Sequence, residues 1–213
     1  MPRFSNLYEL PASIRMNDAN ELHLGDREAP KAHRKISEQF ATRTHPTPHP
    51  DRALVTVVFI DIVGSTEKAV ELGDSRWMEF LGEFQRFVRS ELRRFKGREI
   101  DTAGDGFFAT FDVPARAVRC AMGIAEHVRA LGIEIRAGCH TGEVEIAKDG
   151  VRGVGVVIGA RIGALARPGE VVCSSTVKDV TAGSGLLFED LGLRALKGIP
   201  DEWHLYAVTP NTP

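Results

Sequence analysis

Cysteine is scarce, with three in 213 residues: Cys120, Cys139 and Cys173. So few, and an odd number, exclude a disulfide framework and fit thiols kept reduced, as in a cytoplasm. Long hydrophobic runs are absent as well. No stretch approaches the roughly 18 apolar residues that a membrane-spanning helix needs, so no membrane association is expected. The opening "MPRFSNLYEL" shows no basic start followed by an apolar run, so no secretion signal is expected. Nor is positive charge in excess. The 27 Lys+Arg against 29 Asp+Glu leave a formal net charge of -2, which argues against a nucleic-acid binder held by phosphate contacts. Aromatics are only 7%, yet 43% hydrophobic content at this length suffices for one well-cored domain with an appendage.

Residues 1–51 differ from the rest. Six of the eleven prolines and four of the seven histidines fall in the first 50 residues, with few large apolar residues in any periodic array. This extension is expected to build no core of its own. "APKAHRKISEQF" suits a short helix starting near Pro30, and "THPTPHPDR" a stiff linker in which His45 and His49 are solvent-exposed rather than metal ligands. The domain itself is expected over residues 52–208, followed by a tail, 209–213.

From Leu54 the pattern turns regular. "ALVTVVFI" is a β-branched run suited to a central strand, and "GSTEKAVELG" a short helix that Ser65 or Thr66 is placed to cap. In "DSRWMEFLGEFQRFVRSELRRFKG", Trp77, Leu81, Phe84 and Val88 recur at helical spacing, with Asp74 as cap and Gly97 as stop. "REIDTAGDGFFATF" reads as two strands joined at a glycine-rich tip, with Asp101 and Asp105 facing outward from the sheet's edge. A helix from about Pro114 to Leu131 presents Val118, Ala121, Ala125 and Val128 on one face and stops at Gly132. "IEIRAGCHTGEVEIAKDG" suggests two strands joined near Thr141 and Gly142, "GVVIGARIGALA" a helix, "GEVVCSS" a strand, and the end short closing strands. This order predicts an α+β sandwich: a mainly antiparallel sheet with helices on one face.

Asp61 closes the first strand in "VVFIDIVGST", where an unpaired carboxylate is costly to bury. Asp105 opens the strand after the hairpin. If those strands are neighbours, two hard carboxylates project at one end of the sheet, the donor set magnesium uses together with substrate phosphates. The turn Ile62, Val63, Gly64, Ser65 and Thr66 then offers backbone N–H groups to a polyphosphate. Read singly, Asp61 and Asp105 are equally ordinary turn residues. His140 and Glu143 in "CHTGEVE" resemble an acid/base pair but read as structural, and Arg89, Arg93 and Arg94 as a solvated helix face.

Taken in order, "VVFIDIVGSTEKAVELGD", "GREIDTAGDGFFATFDVPARAVRCA", "RAGCHTGEVE", "GARIGALARPGEVVCSSTVKD" and "LKGIPDEWHLYAV" resemble the class III adenylate/guanylate cyclase catalytic domain over residues 52–208. The resemblance implies a ferredoxin-like cyclase core in a head-to-tail homodimer, with sites at the interface. It also implies a reaction turning a nucleoside triphosphate into a 3',5'-cyclic monophosphate and pyrophosphate with two Mg2+ or Mn2+ ions. Residue by residue, Asp61 and Asp105 fall at the metal-binding aspartates, with Ile62 beside them in the metal set. Arg161 in "GARIG" falls at the arginine that stabilises the transition state, and Lys197 in "LKG" at the lysine that holds the triphosphate.

Three positions depart from the family pattern. Val157 stands where a ribose-orienting asparagine is usual, Asp101 occupies a base-reading position, and Gly150, next to Asp149, occupies the second. ATP is the expected substrate. A guanylate or relaxed-specificity cyclase, or a degenerate regulatory module, is the alternative, and the N-terminal extension is where a regulatory partner would act. A diguanylate cyclase is a weaker fit, because "AGDGF" only partly imitates the acidic glycine-rich turn that enzyme needs.

Overall fold

The computed structural model describes residues 14–16, 22–24, 51–148 and 150–209. The helix expected near Pro30, His45, His49, Asp149 and the last four residues of the tail lie outside the described residues. Two three-residue strands, β1 (Ile14–Met16) and β2 (Leu22–Leu24), pair antiparallel.

The central strand is β3 (Arg52–Ile62), buried at every position from Val55 onward, as its unbroken apolar run requires. Next come α1 (Ser65–Leu72), α2 (Asp74–Arg94), the hairpin β4 (Arg98–Ala103) and β5 (Gly106–Phe111), and α3 (Pro114–Ala130). β6 (Ile135–Ala147) and β7 (Gly150–Arg152) lead into α4 (Val154–Leu165), followed by β8 (Val171–Ser174) and α5 (Ser175–Val180). The hairpin β9 (Leu187–Ala195) and β10 (Glu202–Thr209) closes the domain. The main sheet runs β4-β5-β3-β6-β8-β10-β9, with β7 on β6; every pairing is antiparallel except β6 with β8. The strands β3, β4, β5 and β6, with α2 and α3 as crossovers, make the ferredoxin-like βαββαβ unit.

Helices cover both faces, not one. Val58, Ile60 and Ile62 of β3 pack with Leu81, Phe84 and Val88 of α2 and with Val118, Ala121 and Ile124 of α3. The alternate residues Val55, Val57 and Phe59 face Val156, Ala160 and Ala164 of α4. The small residues of α4 explain its approach. A Cβ on Gly138 of β6 would stand 2.1 Å from the backbone nitrogen of Gly163, so side-chain-free positions on both elements let helix and sheet meet.

Four local expectations are corrected. β6 is one 13-residue strand without a turn at Thr141 and Gly142, because it pairs with β3 from Arg52↔Glu145 through to Ile62↔Ile135. Gly64, left-handed at φ 66°, caps α1, leaving Ser65 and Thr66 inside the first turn. Asp74 is likewise the first residue of α2, capped by Gly73. At the other end of α2 the left-handed residue is Lys96 (φ 59°), with Lys96 and Gly97 N–H groups closing on the Arg93 and Leu92 carbonyls. Gly97 is needed for space, since a Cβ there would lie 2.4 Å from the Phe111 ring.

Candidate active site

β3 and β5 are neighbours, in register through Ile60↔Phe107. That pairing brings Asp61, at the end of β3, beside Asp105, in the two-residue turn entering β5. Both are buried, at 2% and 8% exposure. Asp105 therefore does not face outward from the edge, as its place in a hairpin tip suggests; it is buried, close enough to Asp61 for its charge to act on that carboxyl.

Asp61 also has a partner that sequence reasoning missed. Arg136 is its cross-strand neighbour on β6 and donates to Oδ2 from Nη2 at 2.7 Å and from Nε at 3.1 Å. The other oxygen, Oδ1, and Asp105 Oδ2 are buried and accept no hydrogen bond. Burial first, and then the charge of Asp105, push the Asp61 carboxyl up to about 6 against the lowering effect of Arg136. Among the described residues these two carboxylates have one guanidinium in contact, that of Arg136 on Asp61, so the cluster is short of positive charge. Unpartnered hard oxygens in such a cluster suit a divalent cation, and two protein carboxylates completed by substrate and water oxygens fit magnesium. Among the described residues no group of three or more His, Cys, Asp and Glu gathers into a denser metal site.

The turn after β3 supplies fewer donors than its length suggests. The Val63 N–H donates to the Glu134 carbonyl at 2.9 Å and is removed from the set. Gly64, Ser65 and Thr66 remain at the start of α1. Ile62 is buried in the core against α2 and α3, so it can serve the site only through its backbone.

Asp101 is half-buried on β4, beyond a register shift at Ile100, and its Oδ1 accepts the Thr102 N–H at 2.8 Å. Arg161 sits on α4 and is buried. Gly159 and Gly163 face the sheet, which puts Arg161, two residues from each, on the opposite side of the helix, with half-buried Val157 one turn before it. Lys197 lies exposed in the turn between β9 and β10. Gly150 opens β7, and Asp149 lies outside the described residues.

The sheet register separates these groups. Asp61 is opposite Arg136 at the start of β6, and β8 begins at that same end, with Ala137↔Val171. β10 runs back against β8, with Ala207↔Val172, so its first residue, Glu202, paired with Ala195, is at the far end. Three strand spacings and seven residues of strand rise place Glu202, beside the turn that carries Lys197, roughly 28 Å from Asp61 in one chain.

His140 and Glu143 form no pair. His140 is buried, hydrogen-bonded through Nδ1 to Ser174 Oγ at 2.9 Å, and burial lowers its pKa to about 4. Glu143 is exposed and meets Arg52 at 3.0 Å. Of the three arginines read as a solvated face of α2, Arg89 is tied to Glu99 at 2.9 Å and Arg94 lies 3.4 Å from Glu91.

The model of the adenylate and guanylate cyclase catalytic domain matches residues 48–210. The chain belongs to this family. An adenylyl cyclase from Pseudomonas aeruginosa superposes with a TM-score of 0.72 at 21% identity, covering 77% of this chain and 97% of that one. A guanylate cyclase domain from Catenaria anguillulae, solved with GTP, gives 0.66 at 23%, covering 73% and 96%. At these identities the likeness shows the cyclase fold and does not choose between the bases. A Rhizobium meliloti (strain 1021) relative, provisionally named adenylate cyclase 3, is 25% identical over 169 residues. The match covers 75% of this cyclase chain but only 29% of that relative, so the chain spans less than a third of its length.

Proposed function

We propose that the protein converts ATP into 3',5'-cyclic AMP and pyrophosphate at sites shared between two head-to-tail copies, and that it acts in the cytoplasm. The observation that carries the reading is the buried pair Asp61 and Asp105, whose free oxygens suit divalent cations, in a chain of the cyclase family. Mg2+ or Mn2+ bound there lowers the pKa of the ribose 3'-hydroxyl and neutralises charge on the triphosphate. Asp61 and Asp105 hold the ions, with the Ile62 backbone beside them, and the Gly64, Ser65 and Thr66 amides face the phosphates.

Arg161 and Lys197 are assigned to the partner copy's site. Register supports this, since Lys197 and Asp61 lie at opposite ends of one sheet and a head-to-tail pair brings such ends together. There Arg161 meets the equatorial oxygens of the α-phosphate, where a planar guanidinium matches developing charge better than an ammonium, and Lys197 holds the triphosphate.

Base selection is assigned as weak. Asp101 spends Oδ1 on its neighbour's backbone, which leaves one acceptor oxygen able to meet the adenine amino group or the guanine N1–H and N2 donors. Val157 can make no hydrogen bond to a ribose, and this favours slow turnover. Chromatography of products after incubation with Mn2+ and each of ATP, GTP, CTP and UTP tests the reading; cyclic AMP as main product is expected. GTP as the sole substrate, or no cyclic product at all, would overturn it.

A further inference from the structure

In the hairpin carrying Asp101 and Asp105, β5 is buried throughout but β4 is thinly packed. β4 is an edge strand, and none of its six residues is fully buried. Polar contacts from α2 anchor it instead. Gln85 donates from Nε2 to the Gly104 carbonyl at 2.8 Å, and Gly104 is the left-handed residue whose peptide leads into Asp105. One turn further along α2, Arg89 donates from Nε and Nη2 to Glu99 on β4, both at 2.9 Å. Glu99 also accepts the Thr102 hydroxyl at 2.7 Å. Arg89 Nη1 lies 3.5 Å from Gln85 Oε1, so a donor faces the amide oxygen and an acceptor faces its nitrogen, which fixes the orientation of the amide. The same guanidinium rests over the Phe107 ring of β5, 5.6 Å from its centroid.

We propose that Gln85, backed by the Arg89–Glu99 pair, is a positioning residue that holds the hairpin tip so that the Asp105 carboxylate stays beside Asp61 for metal binding. This rests on the two-carboxylate reading of the site. A metal ligand must be held to within about half an ångström, and contacts to its supports typically change affinity 10- to 100-fold when removed. Asp61 is fixed by strand pairing and Arg136. Asp105, in a turn, has no ladder partner of its own; the Ala103↔Gly106 pair closes the turn, and the Gln85 bond to the preceding peptide is the side-chain anchor on it.

Gln85→Leu keeps the size and removes the donor. Mn2+ binding to the nucleotide-free 213-residue chain, read by electron paramagnetic resonance of free Mn2+, is expected to weaken about tenfold. Amide exchange near Asp105 should quicken while that of β3 stays unchanged, and kcat at saturating Mn2+ should stay nearly constant. A folded Gln85→Leu protein that binds Mn2+ as tightly as the parent overturns the proposal. If that variant fails to fold, Glu99→Gln, which weakens the Arg89 pair and the Thr102 contact but leaves Gln85 itself in place, decides: weaker Mn2+ binding supports the brace and unchanged binding overturns it. Parent protein that binds no Mn2+ would overturn the metal reading itself, and Gln85's role with it.

Discussion

Arg136 stands across the β3–β6 ladder from Asp61 and grips one oxygen of its carboxylate, leaving the other without a hydrogen bond beside Asp105. This asymmetry separates the two aspartates energetically. Asp61 is neutralised by a guanidinium that is itself 15% exposed, whereas Asp105 mainly adds repulsion to the cluster.

Asp61→Ala and Asp105→Asn should therefore both lower cyclase activity by orders of magnitude but move stability in opposite directions. Removing Asp61 takes away the carboxylate that Arg136 grips in a largely buried place and should lower the Tm. Asp105→Asn relieves repulsion and should raise the Tm of metal-free protein by a few degrees. Calorimetry in chelator, beside activity in Mn2+, measures both; wild-type activity in a folded Asp61→Ala protein would remove the metal reading.

The shared site predicts complementation. Asp61→Ala and Arg161→Ala proteins, each inactive alone, should form heterodimers with one intact site on mixing. If chains exchange freely, roughly a quarter of parental activity should return. Heterodimers demonstrated by mass spectrometry that stay inactive would argue for sites within single chains.

Weak base selection predicts that Asp101→Ala changes ATP turnover only modestly, because the remaining oxygen is an imperfect partner for either base. Steady-state rates with ATP and GTP check this. A strict GTP preference that vanishes in the variant would contradict the assignment.

His140 makes stability depend on pH. Its folded pKa of about 4 lies below the ordinary value of 6.5, so between those values the unfolded chain binds the extra proton. Stability should rise as pH climbs from about 4 to 6.5 and level off above, by at most about 1.4 kcal/mol per pH unit from this residue. Urea midpoints at pH 5 and pH 7 should differ less in His140→Phe than in the parent. An equal difference in both would assign the slope to other groups.

The sequence by itself determined the elements whose signal is local. The apolar run of β3, the stripe Leu81, Phe84, Val88 on α2 and the stripe Val118, Ala121, Ala125 on α3 each carry their own period, and all pack as that period demands. The order of the motifs carried the family, and the chemistry of Asp61 and Asp105 carried their pairing once their strands were taken as neighbours. What spans the sheet was decided by tertiary structure alone. Thr141 and Gly142 look like a turn until β3 pairs along the whole of β6. Helix α4 is assigned to the second face only by its close approach at Gly138. Arg136 lies 75 residues from Asp61, and Lys197 and Asp61 are at opposite ends only because β8 and β10 run as they do. Register is a relation between distant segments, and a periodicity read along one segment carries no record of which partner it meets.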